Sequence, residues 1–163
     1  MSNLALELIY RSGDSNISKM DGKRELIKTR LKLFLAKKKD PELNLALDGN
    51  IQTKLVESLL DGTICQIVES LKDLQKIREN EIAEERDKKL QELRNSGLPT
   101  DDVMREFDLT ILKQLDELVA DQQAHLSCAH VPLFESSTDP KKIKIQMEIM
   151  EFIESLCSLM NKN

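Results

Sequence analysis

Tryptophan is absent from this 163-residue sequence, and aromatic residues make up only 3% of it. This scarcity disfavours a core built on large rings, so we expect leucine, isoleucine and valine to supply most of the packing. Glycine and proline are also scarce, with five and four residues, whereas charged residues reach 33%. Long helices and coiled coils have this composition. The sequence thus predicts an all-α fold, an elongated helical bundle.

Other features that the sequence lacks narrow the range of possible functions. No segment approaches the ~20 apolar residues of a membrane span, and residues 1–10 have no basic leader region, so we expect neither secretion nor membrane insertion. The net charge of -5 repels phosphate backbones, which disfavours a nucleic-acid partner. Cys65, Cys128 and Cys157 are an odd, widely spaced set. They predict reduced thiols, packed in the core of an intracellular protein.

Candidate catalytic and metal-binding residues are few. His125, Cys128 and His130 lie close in sequence and with Cys157 could form a zinc set, but their spacing fits no zinc signature. A cysteine nucleophile paired with either histidine has no orienting third group. Gly-rich phosphate loops and paired carboxylates are also missing. We therefore predict no enzyme activity, no metal, no cofactor and no small-molecule substrate.

Turn signals divide the chain into a short apolar segment with a flexible linker, 1–22, and a single helical domain, 23–163. A serine-, glycine- and aspartate-rich stretch marks the linker, and Asp40-Pro41 ends the first helix. Gly97 is placed to take a left-handed conformation at a helix end, and Pro140 to start the last helix. The predicted helices are 23–38, 51–95, 101–127 and 140–160.

The expected architecture is built on two of these helices, 51–95 and 101–127. Asn50 is a plausible N-cap for the helix 51–95. Gly62 lies inside that helix, where we expect a kink or the close approach of another helix in preference to a full break. The short connection 95–100 predicts that the helix 101–127 returns as the second arm of an antiparallel coiled-coil hairpin.

The last helix is apolar over more than half of its circumference and must be covered on two sides. The hairpin is expected to cover one apolar seam. A second copy or a partner helix is expected to cover the other, although helix 23–38 of the same chain is an open alternative. The predicted interface consists of the second seam: Ile145, Ile149, Phe152, Leu156 and Leu159.

Two blocks of sequence resemble the gonadal protein family, which includes the DiGeorge syndrome critical region protein six. The first block comprises Leu59-Leu60-Asp61-Gly62-Thr63, Ile67-Val68, Leu71 and Leu74-Gln75. The second and more specific block comprises Leu115-Asp116, Val119-Ala120-Asp121-Gln122-Gln123, Phe134, Thr138, Pro140, Gln146-Met147, Glu151 and Ile153. The resemblance covers about two thirds of the chain and leaves out its first 50 residues. The segment between Gln75 and Leu115 is shorter here than in the family.

The resemblance implies a non-enzymatic coiled-coil protein, often nuclear, with roles in development and protein interaction. Together with the residue patterns, it predicts a protein-protein interaction or scaffold module whose partner is another protein or a second copy, in a homodimer. An obligate subunit of a larger complex is the alternative, and a zinc protein or enzyme is a minor one. The expected location is the nucleus or the cytoplasm, the nucleus on the resemblance alone.

Overall fold

The computed structural model describes the backbone of residues 3–161 and the side chains of residues 19–161. Six helices follow one another, and the described residues contain no strand, so the predicted all-α fold is confirmed. None of these helices is long and apolar enough to cross a membrane. The helices are α1 (Asn3–Lys38), α2 (Pro41–Ala46), α3 (Gly49–Ser58), α4 (Thr63–Ser96), α5 (Asp101–Cys128) and α6 (Pro140–Asn161).

The first helix is longer than the sequence predicts. The expected flexible linker within 1–22 is wrong from Asn3 onward, because α1 runs without interruption to Lys38; Met1 and Ser2 lie outside the described residues. Serine, asparagine, aspartate and glycine each lower helix propensity by at most about 1 kcal/mol. No proline occurs in this stretch. The polar composition therefore weakens the helix locally but does not end it.

Short polar caps shape the next two elements. Asp40 caps α2, accepting hydrogen bonds from the backbone N–H groups of Glu42 and Leu43 at 3.1 and 3.4 Å. Asp48, and not the predicted Asn50, caps α3 by accepting from the N–H of Ile51 at 2.9 Å. Each carboxylate satisfies backbone donors that the first turn of a helix leaves unpaired.

The predicted helix 51–95 is two helices in the structure. The chain leaves α3 after Ser58 and enters α4 at Thr63, through a turn in which Gly62 has φ +79°. A Cβ placed on Gly62 would meet no atom within 4 Å, so the close approach expected there is also wrong. The glycine is needed for its left-handed backbone, which residues with a side chain adopt at a cost of roughly 1–2 kcal/mol.

The helices α4 and α5 lie side by side as an antiparallel pair. Gly97 ends α4 with φ +70°, and α5 begins four residues later. Arg86 of α4 donates to Asp108 of α5 at 3.0 Å, and Leu93 and Met104 are buried near the turn. These two apolar residues lie outside the main core cluster, which on α4 ends at Leu71. The pair therefore extends about 37 Å beyond that core, at 1.5 Å per residue.

The main core lies where α6 meets the other helices. Its fully buried side chains include Ile27 of α1, Leu55 of α3 and Ile153 of α6. A disulfide between Cys65 and Cys157 joins the start of α4 to the end of α6, with the two Cα atoms 5.6 Å apart. The prediction of reduced thiols in the core is therefore wrong for this pair. Cys128 is a free thiol, but it is exposed.

Candidate interaction surface

The residues predicted as an interface lie mostly inside the protein's own core. Ile149, Phe152 and Leu156 are buried, and Ile145 and Leu159 are half-buried. Helix α1 covers this seam: the rings of Phe34 and Phe152 have centroids 5.3 Å apart. The open alternative, coverage by the first helix of the same chain, is therefore the arrangement found. Ile149, at the centre of the seam, is 1% exposed and is therefore out of reach of a second copy in the folded chain.

The histidines and cysteines are not gathered into a site either. His125, Cys128 and His130 are exposed at the end of α5, and His130 has φ +64°. Cys157 is bonded to Cys65, so its sulfur is not a thiolate ligand. Across residues whose side chains are described, no three histidine, cysteine, aspartate or glutamate groups converge.

Three buried glutamines form a polar network that the sequence patterns did not reveal. Gln123 Nε2 donates to Gln146 Oε1 at 2.8 Å and to the carbonyl of Ser137 at 3.0 Å. The N–H of Ser137 donates back to Gln123 Oε1 at 3.2 Å. Gln122 Nε2 donates to Gln75 Oε1 of α4 at 2.9 Å. The network thus connects α4, α5, α6 and the segment 129–139.

Gln146 completes the attachment of that segment. Its Nε2 donates to the carbonyls of Leu133 and Glu135, at 3.0 and 3.1 Å. A loop of this length leaves many backbone groups without secondary-structure partners, and buried groups of this kind must be paired. The amide side chains supply these bonds, because each carries both a donor and an acceptor. They therefore fix the position of α6 relative to α5.

Beside this network lies an open groove with apolar walls, which we name the α5–α6 groove. It has a volume of about 100 Å³. Leu115 and Val119 line one wall, Ile143 and Met147 the other, and Gln75 and Glu79 of α4 complete the lining. The side chain of Met147 is 60% exposed. An apolar surface held open to solvent in this way is a frequent property of binding sites.

The apolar wall continues along α5 beyond the groove. Leu112, Leu115 and Val119 follow at spacings of three and four residues, so they lie on one face of the helix. Leu112 is 56% exposed and Leu109, one turn away, 60%. The apolar stripe from Leu109 to Val119 is therefore longer than the groove itself and runs about 15 Å along α5.

On another side of α6, the carboxyl group of Glu148 lies near that of Asp40, the N-cap of α2. Oε2 of Glu148 is buried and accepts no hydrogen bond from the described residues. Burial, and then the negative charge of Asp40, raise the pKa of Glu148, although Lys144 and Lys38 act in the opposite direction. Two ionised carboxylates have no proton to share, whereas one proton permits a hydrogen bond between them. Glu148 is therefore harder to ionise in the folded chain than an exposed glutamate, which raises its pKa.

The surface was not predictable from helical periodicity alone. Periodicity assigns Met147 to an apolar seam, but it does not show which apolar residues stay exposed. Gln122, Gln123 and Gln146 do stand in the sequence block that resembles the gonadal family. Their position in this block was the feature of the sequence that could have indicated a structured polar site.

Comparison with known proteins connects this region to a family. The model of the DiGeorge syndrome critical region 6 (DGCR6) protein family matches residues 87–163, which include α5, α6 and the buried glutamines. Over 138 residues the chain is 34% identical to the gonadal protein gdl of Drosophila melanogaster, covering 72% of this chain and 71% of that relative. No solved structure matches. The resemblance seen in the sequence is thereby confirmed, and the chain belongs to the family of the DiGeorge syndrome critical region 6 and gonadal proteins.

Proposed function

We propose that this protein is a non-enzymatic protein-protein interaction module that holds a helix of its partner in the α5–α6 groove. The observation that carries the proposal is the apolar lining formed by the half-buried Leu115 and Val119 and the exposed Met147, which the exposed Leu112 extends along α5. An amphipathic helix presents side chains at spacings of three, four and seven residues, and a two-walled apolar groove receives them.

The glutamine network supports a binding role because it makes the groove rigid. Gln123 and Gln146 hold α5 and α6 at fixed separation through bonds of 2.8 to 3.2 Å. A surface that is ordered before binding loses less conformational entropy when the partner arrives. Met147 adds local adaptability at the edge, since its unbranched thioether repacks easily. The groove thus combines fixed walls with one adjustable contact.

The chemistry of the groove supports a role without catalysis. Its lining holds a single titratable side chain, Glu79, and no serine, cysteine, histidine or lysine. Nucleophilic catalysis requires a nucleophile with an activating neighbour, and the lining supplies neither. This lining is suited to apolar contact.

Matched bait proteins test the proposal. The wild type, Met147→Lys and Leu45→Lys are each used to capture proteins from cell extract for mass spectrometry. Leu45 is 84% exposed on α2, so its substitution controls for added surface charge. We expect a protein retained by the wild type and the Leu45→Lys bait to be lost with Met147→Lys. After purification, that protein should bind the wild type and Leu45→Lys more tightly than Met147→Lys in a direct titration.

Equal capture by all three baits would show that the captured protein does not bind in the α5–α6 groove. Sedimentation velocity of the same variants separates the homodimer alternative, because a second copy in the groove would make the wild type and Leu45→Lys dimeric and Met147→Lys monomeric. The proposed nuclear location, for which the family resemblance is the support, is tested by imaging the tagged full-length chain in cells.

A further inference from the structure

A second and larger groove lies between α1 and α6, and we name it the α1–α6 groove. Its volume is about 530 Å³, and it shares no lining residue with the α5–α6 groove. Leu33 and Phe34 form the α1 wall, and Phe152, Leu156 and Leu159 the α6 wall. Leu33 is 58% exposed, so the apolar wall is open to solvent.

The rim of this groove is positively charged. Arg30 and Lys37 line it from α1, and neither forms an ion pair with any residue whose side chain is described. The whole segment 19–39 is basic, with two acidic residues, Asp21 and Glu25. Against them stand nine basic residues: Lys19, Lys23, Arg24, Lys28, Arg30, Lys32, Lys37, Lys38 and Lys39. This charge contrasts with the net charge of -5 of the whole chain.

An ion pair connects the two walls of the groove. Lys38 donates to Glu151 of α6 at 2.8 Å, and its ammonium lies 5.4 Å from the centroid of the Phe34 ring. Glu151 is the sole acidic residue in the lining, and Lys38 neutralises it. Phe152 and Leu156 are themselves buried, so the side chains left to meet a ligand are Leu33, Phe34 and Leu159, with Ser155 and the two cations beside them.

We propose that the α1–α6 groove binds an amphipathic helix of a partner protein whose apolar stripe is flanked by aspartate or glutamate. Arg30, Leu33, Phe34 and Lys37 repeat at spacings of three and four residues along about 10 Å of α1, which matches two turns of a docked helix. The apolar stripe of the partner fills the groove, and its carboxylates meet the cations at the rim. The proposal goes beyond the function proposed above, because it concerns a different surface and names the charge of its partner.

The concave form of the surface favours a helix over a lipid bilayer. Apolar and charged side chains line one concave groove between the two helices. A bilayer surface is broad and flat, and amphipathic helices that bind it expose their apolar face outward. Nucleic acid is a poorer fit, because phosphate contacts use no apolar floor.

A designed helical peptide tests the proposal on the full-length protein. The probe carries leucines at positions i, i+3 and i+7 with glutamates on both flanks, and a matched peptide carries lysines in place of the glutamates. Fluorescence anisotropy gives the two affinities. We expect the wild-type protein to bind the glutamate peptide about tenfold more tightly than the lysine peptide, with the difference declining as salt is added.

Three protein variants make the result specific to this groove. The double substitution Arg30→Glu with Lys37→Glu should reverse the preference between the peptides. Lys32→Glu with Lys54→Glu changes the charge equally at exposed positions outside the groove and should leave the preference unchanged. Leu33→Gln, which removes an exposed apolar contact without changing charge, should weaken binding of both peptides.

Each contrary result identifies a different error. No binding of the glutamate peptide, or binding equally strong in the Leu33→Gln variant, overturns the proposal. Co-sedimentation with phosphatidylserine vesicles that is lost in the Arg30→Glu, Lys37→Glu protein, without peptide binding, would assign the surface to a membrane instead. Self-association lost in that same variant would assign it to a second copy. Folding of every variant is checked by circular dichroism.

Discussion

The disulfide between Cys65 and Cys157 makes a large and measurable contribution to stability. The two residues are 92 positions apart, so the bond closes a loop that contains nearly all of α4, α5 and α6. For a loop of this length, the lost entropy of the unfolded chain corresponds to about 4.6 kcal/mol at 25 °C. In a chain of 163 residues, 1 kcal/mol shifts the melting temperature by roughly 2–4 °C. Removing the bond should therefore lower the melting temperature by roughly 9–18 °C.

Thermal unfolding followed by circular dichroism, with and without a reductant, measures this effect. The wild type and Cys128→Ser should both melt at the lower temperature when reduced. Cys157→Ser should melt low in both conditions and not respond to the reductant. Cys128 is the matched control because its thiol is exposed and unbonded.

Thiol titration in denaturant separates the two ways in which this reasoning can fail. The wild type should show one thiol before reduction and all three after it. Three thiols before reduction would mean that the bond does not form. One thiol before reduction, combined with a melting temperature that reduction leaves unchanged, would mean that the unfolded chain is already too compact for loop closure to matter.

Three further substitutions, one of them with a matched control, test the fold. Glu148→Gln should raise the melting temperature at neutral pH, because the pKa of Glu148 is raised on folding and the folded state therefore loses stability as the pH rises through that pKa. The gain should vanish below the usual carboxyl pKa of ~4.3, where Glu148 is protonated in both the folded and the unfolded state. A gain that persists in acid would contradict the raised pKa. Gly62→Ala should lower the free energy of unfolding in urea by about 1 kcal/mol because of its positive φ, whereas Gly22→Ala, inside α1, should raise it by up to about 1 kcal/mol; equal effects would contradict the left-handed turn. Gln146→Leu should lower the free energy of unfolding by about 2–3 kcal/mol, because two loop carbonyls lose their donor, and an unchanged urea midpoint would mean that the network is dispensable.

Local chemistry made some elements predictable. The starts of α5 and α6, at Asp101 and Pro140, agree with the sequence because each follows an explicit turn signal. The break at Gly62 was harder to see. A glycine inside an apolar repeat is compatible with a kink, with close packing or with a left-handed turn, and periodicity does not distinguish these.

Contacts between distant segments were beyond the sequence patterns. The composition of α6 shows how much apolar surface must be covered, but not that α1 covers Phe152. In the same way, spacing alone does not bring Cys65 and Cys157 together across 92 residues. The α5–α6 groove depends on such contacts on both walls, which is why only its single residues, and not the groove, could be inferred.

The projection of the α4–α5 pair beyond the core has a consequence for evolutionary change. Its outer part is held by its own contacts, such as Arg86 with Asp108 and the buried Leu93 and Met104. Adding or deleting about seven residues in each arm would change its reach by about 10 Å while keeping the same helical faces in register. We therefore expect the rest of the molecule to tolerate insertions and deletions of this kind, which would change the distance that the arm spans and leave the core and the glutamine network as they are.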